Sequence, residues 1–262
     1  MKKRGLPVRR AGKPQFFAML VGVFLLVLGF LPHRPAAIDT TLTTPIAAHA
    51  PHTSPPPITH EPPIDCAKMP CLNLSFDDGP NPITTPQILN ILKENHVHAN
   101  FFVVGARAAT MPDILQREYR EGHEIGNHSW SHPDLTTLTP AQVQSQIMQT
   151  QAAVMAAGLP APRLFRPPYG AVNQVVKSQV HMTLAMWNVD PEDWNKADPA
   201  HLVQKVTTQA KRGGIIDLHD IDGATVAALP AILQNLKSRF QLVTMSQMLN
   251  LTPGQRGEFF GR

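Results

Sequence analysis

The chain has 262 residues and an apolar fraction of 43%, enough for one large or two small domains with a sizeable core. Its formal charge of +4 is uneven: residues 1–63 hold 7 of the 23 Lys and Arg and 2 of the 19 Asp and Glu, leaving 16 basic and 17 acidic residues beyond them. The part expected to fold is therefore near neutral, which argues against a nucleic-acid partner, because that would need a basic face on the folded domain.

The amino-terminal segment begins with a basic cluster that ends at Lys13, followed by an uncharged apolar run from Phe16 to Leu31. Sixteen residues is long for the core of a signal peptide and slightly short for a spanning helix. The flanking positive charge predicts an amino terminus inside and the remainder outside. Ala48-His49-Ala50 has the small-residue pattern of a cleavage site but lies far beyond the run, so residues 1–31 read as a signal anchor, holding an extracytoplasmic domain at the membrane, ahead of a signal peptide whose removal would release it. Residues 32–65 are rich in Pro, Thr, Ala and His and have few groups to bury, the composition of an extended spacer.

Cys66 and Cys71, the two cysteines of the chain, follow the spacer. Outside a membrane such a close pair is expected to be a disulfide. Strand-like runs then alternate with helical patterns: strands at 72–76, 99–104, 124–126, 164–165, 183–189, 215–218 and 241–243, with helices between them. Regular alternation implies parallel strands with helices packed outside. About seven units in roughly 180 residues are too few for a full eight-unit barrel of ~250 residues. The expected fold is α/β, a distorted and incomplete (β/α) barrel spanning residues 66–251, with a tail at 252–262. No glycine-rich phosphate loop follows a strand, which disfavours nucleotide binding.

Polar residues gather where the strands end: Ser75-Phe76-Asp77-Asp78-Gly79-Pro80, Asn127-His128-Ser129-Trp130-Ser131-His132, Arg166-Pro167-Pro168-Tyr169-Gly170, Asp190-Pro191-Glu192-Asp193-Trp194 and Leu218-His219-Asp220. Each alone is an ordinary turn or surface pair, but in a parallel barrel all five ends share one face, where catalytic groups collect. His128, His132 and one of Asp77 and Asp78 form a plausible zinc site with positions left for water. The other carboxylate would take a proton from that water. An amide also needs an acid, because an amine anion leaves poorly; His219 suits that role if a carboxylate such as Asp193 keeps it protonated. Arg166 would hold the basic Asp ionised, and a backbone N–H beside Tyr169 would stabilise an oxyanion.

Taken together, SFDDGP, HSWSH, RPPYG, DPEDW and LHD resemble the five motifs of the polysaccharide deacetylases, carbohydrate esterase family 4. The resemblance implies Asp77 as catalytic base, Asp78, His128 and His132 as metal ligands, and Arg166 as the partner of Asp77. It also implies Tyr169 as backbone oxyanion donor, His219 as acid, Asp193 as its partner, and Trp194 and Leu218 as the walls of an acetyl-methyl pocket. Asp217 stands where an apolar residue is commoner in the family; it would touch the site if it points inward. The expected cofactor is a divalent metal, zinc by ligand type, with cobalt or another ion also able to fit. The implied reaction removes N-acetyl groups from an amino-sugar polymer, with N-acetylglucosamine of peptidoglycan first; N-acetylmuramic acid, chitin oligomers and O-acetylated xylan are alternatives within the fold, and a non-catalytic glycan-binding relative is the alternative of another class. The expected partners are a cell-wall glycan and, through the amino-terminal segment, a membrane; the chain is expected to act as a monomer.

Overall fold

The computed structural model describes residues 64–195, 197–252 and 254–259. The expected anchor at 1–31, and the spacer as far as residue 63, lie outside the described residues. Among the described residues no helix is long and apolar enough to cross a membrane.

Eight strands form the sheet: β1 (Cys71–Asp77), β2 (Asn100–Val103), β3 (Glu124–Asn127), β4 (Leu164–Phe165), β5 (Thr183–Ala185), β6 (Ile215–His219), β7 (Gln241–Leu242) and β8 (Glu258–Phe259). Their order is β6-β1-β2-β3-β4-β5-β8, with β7 added beside the start of β1, and every pairing is parallel. Among the described residues the α-helices are α1 (Thr84–Glu94), α2 (Gly105–Ala108), α3 (Pro112–Arg120), α4 (Pro140–Ala156), α5 (Gln174–Gln179), α6 (Pro199–Gln209), α7 (Gly223–Lys237) and α8 (Met245–Leu249). Their apolar faces cover the sheet. Ile88, Leu89 and Leu92 of α1 join Leu229, Ile232, Leu233 and Leu236 of α7 over Leu72, Leu74 and Phe76 of β1.

Side chains on a strand alternate between faces. On β1 the even-numbered residues enter that outer core, whereas Asn73, Ser75 and Asp77, equally buried, belong to a polar interior. Much of the interior pairs internally: Asn73 Nδ2 donates to Asn100 Oδ1 and to the Val243 carbonyl, both at 2.8 Å, and Ser75 Oγ donates to the Ile216 carbonyl at 2.7 Å. Buried polar groups need such partners. This is why β1 reads in sequence as neither a continuous apolar run nor a half-exposed strand.

The distorted, incomplete (β/α) barrel expected from the sequence is the fold observed, with three differences in detail. The strand expected over 183–189 stops at Ala185. The chain then returns at Val189 to make one isolated parallel bridge to Ile216, so the segment after β5 meets β6 along a narrow seam. There the Val189 N–H donates to the Ile215 carbonyl and the Asp217 N–H to the Val189 carbonyl. The third difference is the carboxyl-terminal segment, expected as a tail, which supplies β8. Its two residues pair with Leu184 and Ala185, and Lys177 meets Glu258 at 2.8 Å. Two residues are too few to carry a periodic signal.

Cys66 and Cys71 are bonded, and Cys71 is the buried first residue of β1. The loop they close is short, so the entropy it removes from the unfolded chain corresponds to about 2 kcal/mol. Replacing both cysteines by serine is expected to lower the unfolding free energy by about that amount without changing the urea dependence. Equilibrium urea denaturation measures both; an unchanged midpoint would contradict the assignment of stability to this bond.

Candidate active site

All five motif segments lie at the carboxyl ends of strands or just after them. Asp77 closes β1, His128 follows β3, Arg166 follows β4 and His219 closes β6. Asp77 and His219 are direct ladder partners on adjacent strands. Beyond Asp77 the chain turns sharply, with Asp78 at φ 72°, so neighbouring carboxylates point apart. Gly79 follows because a Cβ there would lie 2.1 Å from Asp220 Oδ2. Asp220 in turn accepts from Thr85 Oγ1, and its N–H donates to the Asp77 carbonyl at 3.3 Å, which fixes the turn from below.

The loop carrying the two histidines is held by side chains the motif reading did not single out. Asn127 Oδ1 accepts from the Ser129 N–H at 2.9 Å, and Gln146 Oε1 on α4 accepts from the N–H groups of Trp130 and Ser131, each at 2.9 Å. Ser129 and His132 adopt left-handed φ of 67° and 57°. Such strain in non-glycine residues persists where surroundings enforce it, and it clusters at functional sites. Nothing in the residue pattern of α4 marks Gln146 for this task.

One ligand atom from each of Asp78, His128 and His132 lies within 4.8 Å of the others. Nε2 of His132 is 3.2 Å and Nε2 of His128 is 3.5 Å from Asp78 Oδ1. That oxygen is buried and receives no hydrogen bond. The Nδ1 of His128 lies 2.7 Å from the Arg166 carbonyl, which can only accept. Nδ1 must therefore carry the hydrogen, leaving Nε2 with a bare lone pair aimed at Asp78. Burial drives the His128 pKa down to about 3 and lowers that of His132, so both rings are neutral near pH 7. Two neutral imidazoles and an orphaned carboxylate oxygen fit a divalent cation.

Arg166 is fully buried. Its Nη1 donates to Asp77 Oδ1 at 2.7 Å, Asp217 Oδ1 at 2.6 Å and Ser75 Oγ at 2.9 Å, and its Nε donates to the Ala185 carbonyl at 2.8 Å. Its Cζ sits 4.1 Å from the centre of the Phe102 ring. Gly126 makes room for that ring, because a Cβ there would fall 2.3 Å from Phe102 Cδ1. Burial pushes the Asp77 pKa up to about 6 even though the Arg166 and His219 charges pull it down. A carboxyl in that range suits a general base.

His219 forms a second dyad. Its Nδ1–H donates to Asp193 Oδ1 at 2.8 Å and its backbone N–H to Asp193 Oδ2 at 2.7 Å, while Thr225 Oγ1 donates to the same oxygen at 2.5 Å. Asp190, the other carboxylate in that segment, instead accepts from the Glu192 N–H at 2.8 Å. Burial alone would lower the His219 pKa, but the hydrogen bond and charge of Asp193, with Asp217 and Asp77, outweigh it and raise it to about 10. Nδ1 is taken by Asp193, so Nε2 carries the transferable proton.

Tyr169 stands in a left-handed conformation, φ 60°, in the short 3-10 turn Pro168–Gly170, and its ring packs edge-on against His132 with centroids 4.7 Å apart. The Tyr169 and Trp194 side chains are 69% and 58% exposed, apolar surface beside the polar groups. Leu218 differs from its expected place. It is fully buried in the outer core with Phe76 and Leu229, and alternation on β6 turns Asp217 and His219, not Leu218, to the interior. Asp217 is thus the β6 residue before His219 that reaches the site, and burial with the Asp77 charge raises its pKa well above the usual carboxylate value.

In metal-free protein His219 is expected to stay protonated up to about pH 10, and Asp193→Asn to bring its pKa down. Because the folded pKa exceeds the ordinary 6.5, the stabilisation is complete below pH 6.5 and lost as pH rises through about 10. The melting temperature of the unmodified protein should therefore fall more across that window than that of Asp193→Asn. Histidine NMR titration with thermal melts checks both; an identical His219 titration in the two proteins would refute the dyad.

A family model described as polysaccharide deacetylase matches residues 65–185. The peptidoglycan-N-acetylmuramic acid deacetylase PdaC of Bacillus subtilis is 46% identical over 176 residues, 67% of this chain and 38% of that protein. A solved structure of PdaC superposes with a TM-score of 0.69 at 43% identity, covering 71% of this chain and 93% of that one. The peptidoglycan-N-acetylglucosamine deacetylase PgdA of Listeria monocytogenes is 40% identical over the same shares of the two chains, 67% and 38%. A family 4 acetyl xylan esterase from Clostridium thermocellum, solved in complex with a cobalt ion, gives a TM-score of 0.66 at 32% identity and covers 69% of this chain and 90% of that one. The chain spans well under half the length of the two curated relatives. It belongs to the polysaccharide deacetylase family, carbohydrate esterase family 4.

Proposed function

We propose that the protein is a metal-dependent hydrolase that removes N-acetyl groups from an amino-sugar polymer, with N-acetylglucosamine of peptidoglycan as the first substrate. The observation that carries this reading is the meeting, on one face, of the Asp78–His128–His132 cluster with two differently protonated dyads, Asp77–Arg166 and His219–Asp193. A divalent ion held by Asp78, His128 and His132, zinc by donor type, would acidify a water molecule and polarise the acetyl carbonyl.

Asp77, held by Arg166, accepts the proton of the attacking water. His219, kept cationic by Asp193, delivers a proton from Nε2 to the departing nitrogen, which leaves as a neutral amine. The ladder pairing of Asp77 with His219 puts base and acid about one strand spacing apart, roughly 5 Å, within reach of one scissile bond. A backbone N–H at Tyr169 supports the developing oxyanion. The exposed Tyr169 and Trp194 rings offer sugar-stacking surface at the mouth.

N-acetylmuramic acid is a second reading, favoured by the higher identity to PdaC. The location that goes with either substrate is outside the cell membrane. The basic cluster and apolar run before Leu31 support it, as does the Cys66–Cys71 bond, which persists in an oxidising compartment.

The test uses the full chain, stripped of metal and then reloaded with zinc or cobalt. Acetate release is followed from N-acetylglucosamine oligomers and from peptidoglycan, with the deacetylated sugar identified by mass spectrometry. Release is expected after reloading alone, and Asp77→Asn is expected to reduce it roughly a hundred- to ten-thousandfold. His128→Ala should abolish metal binding in a calorimetric titration. No acetate from either amino sugar, with metal bound, would overturn the N-deacetylase reading and direct the search to O-acetyl esters.

A further inference from the structure

Arg166 Nη1 carries two hydrogens, yet three side-chain oxygens lie within bonding distance: Asp217 Oδ1 at 2.6 Å, Asp77 Oδ1 at 2.7 Å and Ser75 Oγ at 2.9 Å. Ser75 spends its own hydrogen on the Ile216 carbonyl and so competes with the carboxylates as an acceptor. The two shortest contacts go to the carboxylates. Asp217 thus occupies one hydrogen of Nη1 and leaves the other for Asp77.

We propose that Asp217 is a positioning residue for the hydrolysis described above: by engaging one N–H of Arg166 Nη1, it fixes the guanidinium orientation that aims the other at the base Asp77. The inference rests on that functional reading. β6 supports it, because the ladder sets Asp217 opposite Ser75 and His219 opposite Asp77, so that four interior side chains form two adjacent rungs. The remaining anchors on Arg166 act on other atoms: the Ala185 carbonyl on Nε, the Met186 carbonyl on Nη2 at 3.4 Å and the Phe102 face on Cζ. None of them decides which acceptor each Nη1 hydrogen meets. Without Asp217, Ser75 Oγ becomes the rival acceptor, and the bond to Asp77 loses its fixed direction. The burial that raises the Asp217 pKa also makes an amide a fair substitute there, since a neutral side chain with an acceptor oxygen keeps the bond from Nη1.

Asp217→Ala and Asp217→Leu remove the acceptor; Asp217→Asn keeps it. The test measures kcat and KM for N-acetylglucosamine oligomers, the melting temperature, and metal affinity by calorimetry, after the unmodified chain has been shown to release acetate. Asp217→Ala and Asp217→Leu are expected to lose kcat at least fivefold, with KM and metal affinity within twofold. Asp217→Asn should keep at least half the original kcat. The inference is overturned if a cooperatively melting Ala or Leu variant keeps full kcat. It is also overturned if Asn falls as far as Ala, or if neither Ala nor Leu variant folds, because Asp217 would then serve only charge balance or the fold. Absence of acetate release from the unmodified chain would instead sink the functional reading, which separates the two failures.

Discussion

A guanidinium taken wholly out of water is among the costliest groups a fold can bury, and the penalty is recovered only when its charge and its N–H groups are met. Arg166 is that group here, and much of the interior is arranged to meet it. Phe102 covers one face, and that ring is accommodated because residue 126 has no side chain. Asp77 and Asp217 offer carboxyl oxygens from adjacent strands, and Ser75, Ala185 and Met186 supply further oxygens. Even the backbone carbonyl of Arg166 is used, because it fixes the tautomer of His128 and leaves that ring a lone pair for a metal. The proposed base Asp77 and the candidate metal cluster are therefore joined through one residue rather than built as independent parts.

The same interior drives its histidines in opposite directions. His128 is buried beside Asp78 with its inner nitrogen given to a carbonyl, and desolvation leaves it neutral. His219 is also largely buried, but the bond from its ring to Asp193, with the charges of Asp193, Asp217 and Asp77, outweighs desolvation and keeps it cationic. One residue type thus provides ligand and acid within a few residues of space, because each ring has a different partner on its second nitrogen. Pushing like groups apart in this way assigns acid and base roles on a shared scaffold.

Much of this was legible in the residues. Alternating runs announced a parallel barrel, and polar clusters at successive strand ends marked one face before any side chain was placed. What escaped had physical reasons. The resemblance implied Leu218 as a pocket wall, yet the two-residue period of a strand turns it away from the side that His219 faces, and the same rule brings Asp217 inward. That signal was present and decidable, since an inward His219 requires an inward residue two positions earlier. The support of the histidine loop by Gln146 was not, because a glutamine on a polar helix face carries no mark of its tertiary partner. The seam at Val189 and the pairing of residues 258–259 depend on long-range register, which short segments cannot encode locally.

Parallel strands also give the domain a direction. The described chain begins at Ile64, passes the Cys66–Cys71 bond and enters β1 at Cys71, and Asp77 lies at the other end of that strand, six residues on. At about 3.3 Å per residue the two ends are roughly 20 Å apart, with the point of covalent attachment at the end opposite the catalytic mouth. A bead, a dye or a sensor surface coupled through residues before Ile64 therefore joins the domain at its base, so immobilisation chemistry directed there can leave the rim that carries the five motif segments unmodified.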